Sequence, residues 1–251
     1  QSADSIPLGL LVGVLLGGAV GAVNGLIVIL LRVPSFIATL AMLIIAQGVA
    51  LGVTDGSVVA PLPEGVTSVT DDHFLGVRLI LWITVAVFCV LLFLQRTLFG
   101  VRVFAVGGDR DAARLAGVRV DRVRFMCLVI SGLTAGIGGV LLTARVASGH
   151  PTAGGGGILT LTAVAAIVIG GNYVFGGRGS VARTLAGVLL IAIIVNGLQL
   201  KGIKEDVQQV TIGCVLILAT SVDAARAALR RRARSVPVLG PAEAERAAGR
   251  E

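Results

Sequence analysis

The chain has 251 residues, of which 55% are hydrophobic and 14% are charged, and its mean hydropathy is +0.96. Soluble domains usually carry about a quarter charged residues, so this composition is not that of an ordinary soluble domain. The net charge is +7, but no basic patch is interleaved with aromatic residues, which make up 4% of the chain, and this argues against nucleic-acid binding.

Long uncharged runs recur along the sequence and set the predicted fold. A membrane-spanning helix needs about 20 mostly apolar residues. The runs predict seven spans, at 8–30, 36–53, 79–95, 125–144, 158–173, 181–198 and 207–222. We therefore predict an all-α, polytopic transmembrane bundle over residues 1–222, with a basic, largely disordered cytoplasmic tail over residues 223–251.

The first predicted span carries glycines at every fourth position from Gly9 to Gly25, on one helical face. Small residues at this spacing let helices approach closely in lipid. An amide or hydroxyl within a span requires a partner helix, a water-filled cavity or the interface. Packing against another helix is the plainer interpretation for such side chains. The candidates for lining a solute path instead are Asn24, Phe36, Thr39, Gln47 and Asn196.

The stretch GGDRDAARLAGVRVDR, residues 107–122, places many charges between two uncharged spans. Asp109 is a good helix N-cap, Gly117 is positioned to end the helix, and Asp111 and Arg114 are spaced to pair. A helix of about two turns is unstable alone in water, so it must dock on its own bundle or on another protein. A small apolar face is formed by Ala112, Leu115 and Ala116.

Basic residues are distributed unevenly between the two sides of the predicted bundle. With seven spans, 17 of the 21 Lys and Arg residues fall on the side that holds the C-terminus and the 107–122 stretch. Because basic residues mark the cytoplasmic side, the sequence predicts that both are cytoplasmic.

Chemical motifs are sparse in this sequence. His73 and His150 are the two histidines, and neither belongs to a metal-binding pattern. The segment GGRGS at 176–180 lacks the lysine and hydroxyl residue that end a phosphate-binding P-loop. We therefore expect no catalytic residues, no metal and no cofactor, and no ATPase motif in the chain itself.

The charged stretch and its flanks resemble the cytoplasmic loop of ABC-transporter permeases of the ribose, xylose and galactose uptake group. The residues that carry this resemblance are FGVRVFAVGGDRDAARLAGVRVDRVRF. The similarity continues in GAVNGLIVILLRVPSFIATL, SGLTAGIGGVLLTARVASGHPTAGGGG, GGRGSVARTLAGVLLI and NGLQLKGIKEDVQQV, and so covers Gly21 to about Val222. Such permeases usually have more spans than are predicted here, so we expect the missing spans to precede Gln1.

The resemblance implies that the charged stretch holds the coupling helix, which inserts into a cleft of a cytoplasmic ATPase. The residues assigned to it in this way are Asp109, Arg110, Asp111, Ala112, Ala113, Arg114, Leu115, Ala116 and Gly117. The chain would then be the permease subunit of an importer of a monosaccharide or similar polar solute, in the bacterial plasma (inner) membrane. ATP would be bound by the partner subunit.

The expected partners are the cytoplasmic ABC ATPase, an extracytoplasmic solute-binding protein, a second permease subunit (identical or related) and the lipid bilayer. The main alternative is an ion-coupled secondary transporter, a class that tends to hold carboxylates within the membrane. None of the 14 acidic residues lies inside a predicted span, which disfavours it. An intramembrane enzyme would need a catalytic cluster at membrane depth, which the sequence lacks. The sequence does not exclude a purely structural membrane subunit.

Overall fold

The computed structural model describes residues 5–60, 73–74, 77–152, 158–173, 176–204, 207–215, 217–218 and 221, and the predicted tail at 223–251 lies outside them. The chain divides into two compact units, Gln1–Ala192 and Ile193–Glu251. The helices are α1 (Ser5–Leu30), α2 (Ser35–Thr54), α3 (Leu79–Arg96), α4 (Leu98–Gly108), α5 (Arg110–Leu115), α6 (Val120–Val146), α7 (Ile158–Ile169) and α8 (Val181–Leu200).

The predicted all-α polytopic fold is confirmed. Among the described residues, five helices are long and apolar enough to cross a membrane, namely α1, α2, α3, α6 and α8. At the other two predicted spans, α7 has 12 residues and residues 207–215 are helical. Strands β1 (His73–Phe74) and β2 (Val77–Arg78) form a two-residue antiparallel pair just before α3.

Helices α1 and α6 pack through their glycines. A Cβ atom placed on Gly17 would lie 2.5 Å from the carbonyl oxygen of Gly132, and one on Gly21 would lie 2.5 Å from that of Leu128. The predicted close-packing face of α1 is thus confirmed at Gly17 and Gly21, whereas Gly9 has no neighbour within 4 Å of such an atom. The backbones touch because no side chain separates them.

The turn between α1 and α2 is short and contains a non-glycine residue with a positive φ. Arg32 has φ 54, in the left-handed region that ordinarily favours glycine. Pro34 occupies the N-cap of α2, where its missing N–H costs nothing. The two apolar helices are therefore joined by only four residues, 31–34.

The ends of α7 and α8 meet through a second close contact. A Cβ atom on Gly187 of α8 would overlap the carbonyl oxygen of Ala166 in α7.

A backbone bridge joins two segments that follow helices. Just after the C-terminal end of α6, Gly149 exchanges two backbone hydrogen bonds of 3.0 and 2.9 Å with Val59. The segment after α2 is thereby attached to the segment after α6.

The second unit begins within α8. Gly202 ends this helix with φ 67, and the amide of Ile203 donates to the carbonyl oxygen of Leu198 at 3.1 Å. Gln208 is buried, and its Nε2 atom donates to the carbonyl oxygen of Ile203 at 2.8 Å. This side-chain hydrogen bond fixes the turn before the helical residues 207–215.

Candidate functional site

The short helix α5 is capped at both ends. The Asp109 carboxylate accepts hydrogen bonds from the amides of Asp111 at 2.9 Å and Ala112 at 3.0 Å, as predicted for an N-cap. At the other end Gly117 has φ 80, and its amide donates to the carbonyl oxygen of Arg114.

The amide of Val118 donates to the carbonyl oxygen of Ala113 at 3.0 Å, which completes a Schellman motif. The backbone at both ends of this six-residue helix is therefore satisfied locally.

One face of α5 docks on the protein itself. Ala113 is 5% exposed and packs in a cluster with Val106 of α4 and with Val120 and Val123 of α6. Val118, which follows the helix, also packs against this cluster. The cluster holds α4, α5 and the start of α6 together and supplies the docking surface that so short a helix requires.

The opposite face of α5 is open. Leu115 is 91% exposed, and Ala112 and Ala116 are exposed beside it. Asp111 and Arg114 are exposed as well, and among the described residues the predicted ion pair between them is not formed. The helix thus presents an uncovered apolar patch surrounded by charged side chains.

Ala113 is buried, whereas the other residues of α5 are exposed. The resemblance assigned all residues from Asp109 to Gly117 to the coupling helix, and the sequence placed Ala112, Leu115 and Ala116 on its apolar face without giving Ala113 a separate position. The structure places Ala113 on the inner face and leaves Leu115 on the outer face.

The turn at residues 176–180 packs directly against the end of α4. A Cβ atom on Gly107 would lie 2.6 Å from the amide nitrogen of Gly177, and Gly177 itself has φ 81. Only glycine satisfies both the close approach and the positive φ. The turn therefore touches the chain two residues before the N-cap Asp109.

Three buried or half-buried polar side chains hold this turn, and sequence reasoning missed them. Gln95 of α3 accepts a hydrogen bond from the amide of Val181 at 2.9 Å. Asn172 accepts from the amide of Ser180 at 2.7 Å and donates to the Thr184 hydroxyl at 2.9 Å. Their position at the ends of apolar runs was the available signal, but it does not identify which backbone groups they bind.

Among the described residues, no hydrogen bond joins one candidate solute-path residue to another. Asn24 is 9% exposed, and its Oδ1 atom has no hydrogen-bond partner among the described residues. The Thr39 hydroxyl donates to the carbonyl oxygens of Ser35 and Phe36 in its own helix. Gln47 is half-buried, whereas Phe36 and Asn196 are exposed.

Of these five side chains, Asn24 is the one that leaves a buried polar atom without a partner in the described part of the chain.

The family model described as the permease component of the branched-chain amino acid transport system matches residues 1–220. The chain belongs to this permease family. It is therefore a multi-pass membrane protein, in agreement with the five helices of spanning length in the described part of the chain. No solved structure gives a significant match.

Curated relatives include sugar-transport permeases and a probable ABC permease. The chain is 42% identical over 192 residues to a probable ABC transporter permease protein, YphD, of Escherichia coli (strain K12), covering 75% of this chain and 56% of the relative. It is 38% identical over 216 residues to the ribose import permease protein RbsC of the same strain, covering 83% and 66%.

It is 36% identical over 228 residues to the L-arabinose ABC transporter permease protein AraH of Azospirillum brasilense, covering 90% of this chain and 67% of the relative. The chain thus spans between 56% and 67% of the length of these three relatives. The resemblance to monosaccharide permeases that the loop and its companion motifs indicated is confirmed.

Proposed function

We propose that this permease is the membrane subunit of an ABC importer that carries a monosaccharide or similar polar solute into the cell by alternating access. The family match and the ribose and arabinose permeases among its relatives support this proposal. The family description also names amino acid transport, and the choice of a sugar follows the relatives. Energy would come from ATP bound by a separate subunit.

The proposed orientation has α5 and the C-terminus in the cytoplasm of a bacterium. Its support is the excess of basic residues on that side of the predicted spans. A solute-binding protein would deliver its cargo to the opposite side. A second permease subunit, identical or related, would complete the translocation pathway.

The single observation that carries the proposal is the two-faced construction of α5. Its inner face is anchored by Ala113, while the apolar patch around Leu115 faces away from the chain that bears it. Capping at both ends makes the helix a rigid unit. Such a unit suits insertion into a cleft of an ATPase, because apolar contact supplies close packing and the surrounding charges supply specificity.

The contacts of α5 also provide a route for movement. ATP-driven displacement of the helix would carry α4 and α6 through the shared cluster around Ala113. It would also reach the 176–180 turn through Gly107 and Gly177, from there α8 through Asn172, and then α3 through Gln95. Rigid contacts of this kind pass on a displacement with little loss.

We further propose that Asn24 lines the solute path, because its Oδ1 atom is buried and has no hydrogen-bond partner among the described residues. Such an atom is costly unless a water or a solute hydroxyl pairs with it. Phe36, Thr39, Gln47 and Asn196 remain candidates for the same path.

The test of the proposed function uses the full-length permease with its ATPase and solute-binding protein. We expect Leu115→Arg to reduce ATPase co-purification and ATP-dependent sugar uptake at least about ten-fold, because interface anchors typically contribute 2 kcal/mol or more. Permease abundance in the membrane should stay normal, since Leu115 touches little of its own chain.

The matched control is Leu200→Arg, which makes the same change at a leucine that is 82% exposed at the end of α8. It should leave ATPase binding intact. Normal ATPase binding and uptake in Leu115→Arg would refute the coupling role. Uphill uptake without any ATPase would instead favour an ion-coupled transporter.

A further inference from the structure

A second site lies where the α1–α2 turn faces α5 and the start of α6. A cavity of about 710 Å³ opens between these elements. Its walls carry four arginines and two aspartates, namely Arg32, Arg110, Arg114, Arg124, Asp111 and Asp121. Within the part of the chain that the structure describes, none of these six side chains forms a close ion pair or a hydrogen bond, although Asp121 attracts and Arg110 repels the Arg124 guanidinium. The cavity therefore has an excess of positive charge and unused guanidinium donors.

The N-terminus of α2 forms another wall of the cavity, through Pro34 and Ser35. No side chain caps this 20-residue helix, and its backbone ladder begins with the bond from the Ala38 amide to the Pro34 carbonyl. The amides before Ala38 are thus without intrahelical partners. Unpaired amides at a helix N-terminus attract anions, and here they add to the arginines rather than acting alone.

The backbone of Arg32 gives independent support. This residue adopts φ 54, where glycine is less strained than arginine. A strained non-glycine residue is a reason to look for a role of its side chain. Arg32 lines the cavity, so the strained position brings a guanidinium to it.

The surroundings of the cavity favour a lipid headgroup over free phosphate as the bound anion. Leu30 at the end of α1 and Leu31 directly after it have exposed side chains. Phe36, the second residue of α2, has an exposed ring that also lines the cavity. Both helices are of membrane-spanning length and composition. The charged cavity therefore lies at the ends of two spans, where apolar surface passes directly into basic surface, as at a lipid headgroup layer.

We propose that this cavity binds the phosphate group of an anionic phospholipid. The arginines, with planar forks suited to phosphate oxygens, hold the headgroup, and the acyl chains lie along Leu30, Leu31 and Phe36. Asp111 and Asp121 reduce the excess charge, which suits a singly charged phosphodiester. The bound lipid would fill the space between the α1–α2 turn and α5, and would thus be part of the surface that supports the coupling helix.

The test titrates the full-length permease–ATPase complex in detergent with phosphatidylglycerol or with phosphatidylcholine, and bound lipid is counted by native mass spectrometry. We expect the double variant Arg32→Gln/Arg124→Gln to weaken phosphatidylglycerol binding by about ten-fold or more, since each basic residue near an anionic surface contributes roughly five-fold. Phosphatidylcholine binding should change less than two-fold, because its headgroup has no net charge.

The matched control is Arg122→Gln, which removes an exposed arginine from the same end of α6 without touching the cavity. It should keep the wild-type preference for phosphatidylglycerol. Arg32→Lys/Arg124→Lys should restore much of the binding that the glutamine variant loses, which separates loss of charge from misfolding.

A third arm adds millimolar inorganic phosphate without lipid. If phosphate alone protects the complex from thermal unfolding and blocks phosphatidylglycerol binding, the site binds free phosphate, and the proposal of a lipid headgroup is overturned. Equal phosphatidylglycerol affinity in the double variant and in Arg122→Gln would overturn the site altogether.

Discussion

The α1–α6 contact and the α5 segment both pack through small residues, yet we expect them to tolerate change differently. In the first, glycines bring two backbones together, and any Cβ atom at Gly17 or Gly132 would meet backbone atoms of the other helix. In the second, Ala113 inserts one methyl group into a small aliphatic cluster, and the rest of the helix is exposed.

The difference follows from what each contact must achieve. Lipid offers no hydrophobic driving force between helices, so α1 and α6 depend on close backbone packing over their length. Near the aqueous surface, burial of a few aliphatic side chains and two caps suffices to hold six residues. The α5 segment can therefore have one face devoted to its own fold and another left for a partner.

The largest expected effect is at the glycine contact. Gly132→Leu should destabilise the bundle by about 3 kcal/mol, because overpacking that meets rigid backbone finds no flexible atom to displace. The measurement is thermal unfolding of the purified full-length permease, together with its yield of monodisperse protein.

Gly139→Leu is the control, since a Cβ atom at this glycine of the same helix meets nothing within 4 Å. It should change the unfolding free energy by less than about 0.5 kcal/mol. Equal losses in the two variants would show that α6 does not depend on close contact with α1.

An intermediate effect is expected inside the α5 segment. Ala113→Arg should cost about 2 kcal/mol locally, because the segment undocks rather than buries an unpaired charge. Hydrogen exchange over residues 106–123 should speed up, while the α1–α6 contact stays protected.

Ala112→Arg provides the comparison one residue away. Its exposed side chain should leave exchange in the segment unchanged but weaken ATPase binding as Leu115→Arg does. Equal acceleration of exchange in both variants would contradict the distinction between an inner and an outer face.

The smallest effect is expected at the cap. Asp109→Ala removes the acceptor for the Asp111 and Ala112 amides and should cost about 1 kcal/mol. Those two amides should exchange several-fold faster. Asp109→Asn keeps an acceptor oxygen and should stay close to wild type, so a loss as large as that of the alanine variant would show that charge, rather than capping, holds the helix.

Local sequence signals predicted much of the candidate site. Asp109 and Gly117 act at the predicted ends of α5, because a carboxylate before a helix and a glycine after it satisfy backbone groups a few residues away. The repeat of glycines on α1 likewise predicted a packed face, since position on a helix fixes which residues share a face.

Contacts between distant segments were not accessible in this way. Gln95 and the amide of Val181 are 86 residues apart, and nothing in either local pattern specifies the other. The same holds for Gly107 and Gly177, and for the six charged residues that surround the cavity between α1, α2, α5 and α6.

By itself, the sequence determined that this is a polytopic helical membrane protein and where α5 begins and ends, because hydropathy and capping are local properties of the chain. Only the tertiary structure decided that Ala113 faces inward while Leu115 faces outward, and that α6 is the partner of the α1 glycines. The physical reason is that the direction in which a short helix buries a side chain depends on neighbours supplied by remote parts of the chain.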